Sequence, residues 1–391
     1  MKMVIHQRIE ILKRKKVKLT EVDGDLKIGK GAFLIAEKGT IIVHGRIKNN
    51  GGFKCKGNLE ARSLETKSGS VFVFGDLTCQ REVTIGKKLV VNGKITAEEV
   101  SAGKAVIVFK GAKVDKITAG SRIIIKGTNN VEQLRAGGLV RLIGENHLQA
   151  VNAGRKVSLL GNTFVENVRA GFSIFFEKGK IERASAGFSI TIKGPAEIAT
   201  ANAGFQIKFL NKISIEKANA GFRIKAFQPV TFQKMNAGFQ ITLLKESSGQ
   251  AINAGFKISA LENLAIEDRL SAGHKCKLRQ LTCTVISAGK KIVAKKIIAN
   301  SFAVAKKGVV KGIIIADEVL LKEKARASNI YAKELTLYEE SVARNVYAEK
   351  ITLENYAKLK GKVFYVKELN AEPKAKIKTK PIQVSELPSP P

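Results

Sequence analysis

The chain is poor in the features that announce membrane insertion or chemistry. No run approaches the 18 or more apolar residues of a transmembrane helix, which argues against a helical membrane protein. Residues Met1–Leu12 contain Arg8 and Glu10 and no small-residue cleavage site, so no secretory leader is read and a cytoplasmic protein, free or membrane-associated, is expected. The four cysteines (Cys55, Cys79, Cys276 and Cys283) form no CxxC pair and no zinc spacing; they read as small buried hydrophobes, and no metal is expected. The four histidines (His6, His44, His147 and His274) form no pair or repeat, and no glycine loop of the nucleotide-binding kind is present. The expectation is a protein that is not an enzyme, with no catalytic residue, no cofactor and no small-molecule substrate. Tryptophan is absent, and 7 prolines in 391 residues leave long stretches without one. A lysine- and isoleucine-rich chain of this kind fits the charged surfaces common in thermophiles.

Glycine, by contrast, keeps a beat. Gly52, Gly69 and Gly86 lead at steps of 17 into Gly103, Gly120, Gly137, Gly154, Gly171, Gly187, Gly204, Gly221, Gly238, Gly255, Gly273 and Gly289, where the step is 16 to 18. A fixed period of this length marks a solenoid. Alanine precedes the glycine in twelve consecutive copies, Ala102 to Ala288, and Asn, Ser or Thr usually precedes the alanine. Small polar residues beside a fixed glycine describe a tight corner, with glycine supplying a positive φ and Asn or Ser bonding the local backbone.

Numbered from the glycine, positions three and five are apolar with polar residues between them, as in Ile207-Lys208-Phe209 and Ile224-Lys225-Ala226. Period two in β-branched and aromatic residues is a half-buried strand. Further apolar columns lie at eleven (Val114, Val131, Leu148, Val165) and fourteen (Val100, Ile117, Leu134, Val151). Three inward segments per turn fit a triangular coil, and α-solenoids, with repeats of about 33 to 47 residues, do not fit. The expected fold is all-β: one long parallel β-helix, right-handed by the general preference of parallel crossovers, with coils of about 17 residues stacking about 4.8 Å apart. Residues 1–20 form a basic lead segment or cap and 21–372 a continuous β-helix. Within it, 21–100 is less regular, 101–289 is the alanine-glycine array, and 290–372 lacks the glycine while Ala299, Ala316, Ala332 and Ala348 keep the corner step. Residues 373–391, with five prolines and alternating lysines, read as a disordered tail.

Lys and Arg number 68 against 34 Asp and Glu, a net charge of +34, and the array carries the largest share. Arg122, Arg141, Lys156, Lys193, Lys208, Lys225, Lys257, Lys275 and Lys291 occupy outward strand positions there. Stacked coils should align them into a stripe that binds nucleic acid, lies on an anionic membrane, or merely keeps the protein soluble. A phenylalanine follows the glycine in seven coils (Phe53, Phe172, Phe188, Phe205, Phe222, Phe239 and Phe256), either as a core-edge stack or as an exposed ladder able to stack bases or pack against another copy.

Outside the array the coils read Val22-Asp23-Gly24-Asp25-Leu26, Gly57-Asn58-Leu59-Glu60-Ala61, Gly75-Asp76-Leu77, Ile315-Ala316-Asp317-Glu318-Val319 and Tyr331-Ala332-Lys333-Glu334-Leu335. Over roughly 22–100 and 310–370 the chain resembles the bactofilins, polymer-forming cytoskeletal proteins. The resemblance implies a right-handed β-helix flanked by disordered tails, assembling end to end into filaments without nucleotide, and a short N-terminal segment, here Met1–Ile5, at the membrane. Independently, a β-helix ends in open strand edges. Gln7–Lys18 reads as an N-terminal cap with Ile9, Ile11 and Leu12 inward. Val363, Tyr365, Val366 and Leu369 are the candidate polymerisation interface. The expected function is a self-associating scaffold, with a polyanion-binding protein as the alternative.

Overall fold

Alternating apolar residues in registered copies can all be buried if each copy lies directly on the one before. That is the arrangement in the computed structural model, which describes residues 9–391, the side chains of residues 287 and 288 excepted. The fold is all-β, with parallel strands stacked as a β-solenoid of about 22 turns and roughly 17 residues per turn. Two compact units meet in sequence between Glu197 and Ile198.

In the first unit, Arg122–Lys126 pairs with Leu139–Ile143, and that strand with the start of Lys156–Ala170. Partners in these pairs are 17 residues apart, so the apolar columns align. Each coil has three short segments: a first at positions two to five, a second ending at eleven, and a third ending at the alanine. The second and third run together as one strand such as Thr128–Ala136, bent at position twelve, where residues such as Asp115 and Glu132 drop out of register. Val140 and Leu142 from the first segment, Val131 from the second and Leu134 from the third are all buried. The second unit repeats the scheme, for example Ile213–Ala220 on Val230–Ala237. The corner alanines from Ala102 to Ala272 point into the core.

Several expectations change. Among the described residues, none of the corner glycines from Gly103 to Gly289 takes a positive φ. A Cβ on Gly120, Gly137, Gly238 or Gly255 would instead run into the carbonyl oxygen of the corner glycine one coil earlier. The corner requires glycine because backbones stack too closely for a side chain. The corner asparagines also bond across coils rather than locally: Asn219 Nδ2 donates to Asn202 Oδ1 at 2.8 Å, and Asn236 Nδ2 to Asn219 Oδ1 at 2.9 Å.

Gly52 and Gly69 are out of step with the array, because Phe53 pairs with Val71 and Val71 with Leu89, steps of 18. A one-residue slip exchanges the faces of a strand. Phe53, placed above with the exposed-ladder candidates, is therefore buried at 2% exposure, and Val71 and Val73 point inward while Phe74 is 50% exposed. Ala299, Ala316, Ala332 and Ala348 are not corner residues: Ala299 pairs with Cys283, and the column of Ala288 continues as Val304, Leu321, Leu337 and Leu353. The glycine corner of the array gives way to β-turns whose third residue is left-handed: Lys307, Lys324, Glu340 and Tyr356 lie at φ 56–60°. The turns close through bonds such as Ala325 N–H to Lys322 O at 2.9 Å.

The lead segment is part of the stack. Ile9–Ile11 pairs with Leu26–Ile28 and Lys16–Leu19 with Phe33–Ala36. Ile11 is buried as expected, but Ile9 and Leu12 are exposed; Met1–Ile5, His6 and Gln7 lie outside the described residues. At the other end, 373–391 carries two short strands, Lys376–Ile377 on Lys358–Leu359 and Ile382–Gln383 on Phe364–Tyr365, where a tail without structure was expected. The four cysteines are buried and unpaired. Loss of hydration pushes the thiols of Cys55, Cys79 and Cys276 up to about 12, and Cys283 upward.

Candidate functional site

The outer side of the first segment is where the array places its cations. In the first unit Arg122 and Lys156 share a column with Leu139 between them, and Arg141 stands in the next outward column between Ile124 and Ser158. Lys193 lies further along the coil and pairs with Glu177 at 3.4 Å. In the second unit Lys208 lies against Lys225, and Lys257, Lys275 and Lys291 succeed one another in register. The nine cations thus fall into two neighbouring columns plus Lys193, rather than one stripe. Among the described residues Lys193 is the one of the nine with a salt bridge. Like charges directly opposed on adjacent strands destabilise a sheet, so the Lys208–Lys225 and Lys257–Lys275–Lys291 rows of the second unit carry uncompensated repulsion.

About half of the acids of the array stand at the bend between the second and third segments. Asp115, Glu132, Glu166 and Glu182 occupy the bend at position twelve in the first unit, and Glu216 and Glu267 in the second. The offset from the glycine is twelve for all of these but Glu182, whose coil is one residue shorter, and the recurrence was not read from the sequence. Nor were Arg135 and Arg169, which stand where most coils have Asn or Ser. They wall a shallow groove of about 420 Å³ floored by Ala136, Gly137, Ala153 and Gly154.

The phenylalanine row is the exposed ladder. Phe205, Phe222, Phe239, Phe256 and His274 stack with centroids 4.7–4.9 Å apart and planes within 5°. In the first unit Phe172 stacks on Phe188 at 4.8 Å. Interior rings such as Phe222 and Phe239 have both faces covered by neighbours, so along its length the row presents edges to solvent. Insertion of bases between the rings, which needs free faces, does not fit this geometry.

His147 stacks on Phe164 at 5.2 Å beside Glu132, Glu166 and Lys180, along a groove of about 430 Å³. His44 Nε2 lies 2.7 Å from Glu21 Oε1 and 3.8 Å from Asp23 Oδ1, and the hydrogen bond to Glu21 holds its pKa above the usual histidine value. These three exposed groups each bring a ligand atom within 4.8 Å of the others, a donor set that the sequence reading did not assemble. Inside the first unit, buried Asn129 donates to Asn146 Oδ1 at 2.7 Å and Asn146 to Thr163 Oγ1 at 2.9 Å, a buried polar ladder two positions before the apolar column at eleven.

The candidate polymerisation residues are brought together only in part. Val363 is buried and pairs with Val346, whereas Tyr365, Val366 and Leu369 are half-buried. The tail occupies part of their free edge: Val384 N–H bonds Tyr365 O at 2.9 Å, and Gln383 Nε2 bonds Val366 O at 3.1 Å. Comparison with protein-family models, curated proteins and solved structures finds no match for this chain.

Proposed function

We propose that the protein is a non-catalytic structural scaffold, a β-solenoid whose cationic face holds a polyanion. The observation that carries this reading is the stacking of cations in register on the outer side of the first segment. Lys208 lies against Lys225, and Lys257, Lys275 and Lys291 are stacked in register, none of the five with a salt bridge among the described residues. A row of like charges costs stability unless anions neutralise it. Binding through phosphates or other anions would be steeply salt-dependent. Replacing Lys208, Lys225, Lys257 and Lys275 with Glu should abolish binding to duplex DNA and to anionic vesicles. Equal binding by the variant and the parent protein would refute the reading.

A second reading, end-to-end self-association, is supported by the bactofilin resemblance and by the stretch Lys367–Ala371, exposed except for half-buried Leu369, beyond the positions that the tail pairs. It predicts assemblies in sedimentation velocity without nucleotide, dissolved by Val366→Asp or Leu369→Asp. A strictly monomeric protein at high concentration and low salt would contradict it.

A further inference from the structure

In the unit that begins at Ile198, the strands Gln206–Phe209, Arg223–Ala226, Gln240–Leu243 and Lys257–Ala260 follow one another in parallel register. Alternation sends Ile207, Ile224, Ile241 and Ile258 inward and turns Lys208 and Lys225 outward, with Arg223 and Lys257 one column away. Two apolar rows border these cations. Along one side stand the ring edges of Phe205, Phe222, Phe239 and Phe256. Along the other, where the chain leaves the strands, stand Leu210, Phe227, Leu244 and Leu261. Leu210 is 38% and Leu261 52% exposed, while Phe227 and Leu244 are half-buried, with Lys225 Nζ 4.4 Å from the Phe227 ring centroid. The rows are five residues apart, about 17 Å at strand rise, and four coils span about 14 Å. Between Ile198 and Leu261 the acids are Glu216, at the bend, and Glu246, beyond the Leu244 row; Glu262, next to Leu261, is taken up by Lys245 at 2.9 Å.

A patch that pairs exposed apolar rows with unopposed cations needs a partner that is both anionic and apolar. A second copy meeting it about a two-fold axis would set Lys208, Lys225 and Arg223 against like charges. Nucleic acid would neutralise the cations, but the rings have no free face for a base, and Leu210 and Leu261 would meet only a hydrated backbone. An anionic bilayer supplies both components. Lipid phosphates meet the lysine and arginine heads, whose stems lie along the sheet, while Phe and Leu enter the boundary between headgroups and acyl chains. We infer that this face docks flat on an anionic lipid surface. The inference rests on the polyanion-binding reading above and names its partner.

The absence of tryptophan makes the test direct, because Leu261→Trp or Phe239→Trp creates a single tryptophan that can be excited apart from the five tyrosines. The full-length protein is mixed with phosphatidylcholine vesicles containing about one third phosphatidylglycerol, with pure phosphatidylcholine vesicles, and with duplex DNA, at about 50 mM salt. Emission should shift to the blue on the anionic vesicles alone. Leu210→Ser combined with Leu261→Ser should weaken vesicle binding about tenfold while leaving DNA binding unchanged. Both sites are exposed, and unchanged circular dichroism checks the fold. If charge reversal at Lys208, Lys225 and Lys257 abolishes vesicle binding but emission does not shift and the serine variants bind normally, insertion is wrong and the polyanion reading stands. Binding to DNA without binding to vesicles makes nucleic acid the partner and overturns the inference. Binding to neither overturns both.

Discussion

At Gly238 the constraint is space rather than torsion, because the missing Cβ would fall on the carbonyl of Gly221. Gly238→Ala should therefore destabilise the protein by about 2–4 kcal/mol, and Gly238→Asn by at least as much, although asparagine tolerates left-handed torsions well. Lys324, at φ 59°, is the opposite case. Lys324→Gly or Lys324→Asn should leave the urea midpoint unchanged or raised, and Lys324→Val should lower it. Rescue of Gly238 by asparagine would show that torsion sets the corner after all. Cys276 adds a pH dependence at this scale. Its thiol stays protonated in the fold to about 12, against an ordinary value of 9.0, so the unfolded chain alone releases that proton as pH rises past 9. Stability is unaffected by this group below pH 9 and falls between 9 and about 12. Cys276→Val should flatten part of that decline in alkaline urea titrations.

At the scale of the strand and its neighbours, stacked like charges predict a salt response. Lys257, Lys275 and Lys291 repel one another in register. Added sodium chloride should raise the unfolding midpoint, and Lys275→Gln should stabilise the protein by a few tenths of a kcal/mol at low salt, with the gain vanishing at about 1 M. A midpoint that falls with salt would mean the row is compensated. Elements were the most legible part of this sequence, because period-two alternation repeats in register and every copy reinforces the last. The columns of Ile123, Val131 and Leu134 are buried as expected. Legibility failed where a coil gains a residue: the glycine spacing from Gly52 to Gly86 matches the period by coincidence, while the pairing of Phe53 with Val71 takes 18 residues. It failed again at Ala299, because small residues suit an inward strand position as well as a corner. The site was legible in composition but not in arrangement. Which outward columns share a face, and that Asp115 and Glu132 sit at a bend, depends on how three segments fold around the core.

The whole molecule joins a fold that buries its apolar columns coil upon coil with a surface that stacks cations in register. An excess of 34 positive charges would fit many soluble proteins if scattered. Stacked in register, as at Lys208 and Lys225 and at Lys257, Lys275 and Lys291, it forms rows with no salt bridge among the described residues. The most direct test is the salt dependence of binding to a polyanion of fixed length, with duplex DNA as the probe. The logarithm of the association constant should fall linearly with the logarithm of salt concentration. Replacing Lys208, Lys225 and Lys257 together with Gln should reduce that slope by about three units. An unchanged slope would place the bound anion elsewhere and contradict the assignment of this face.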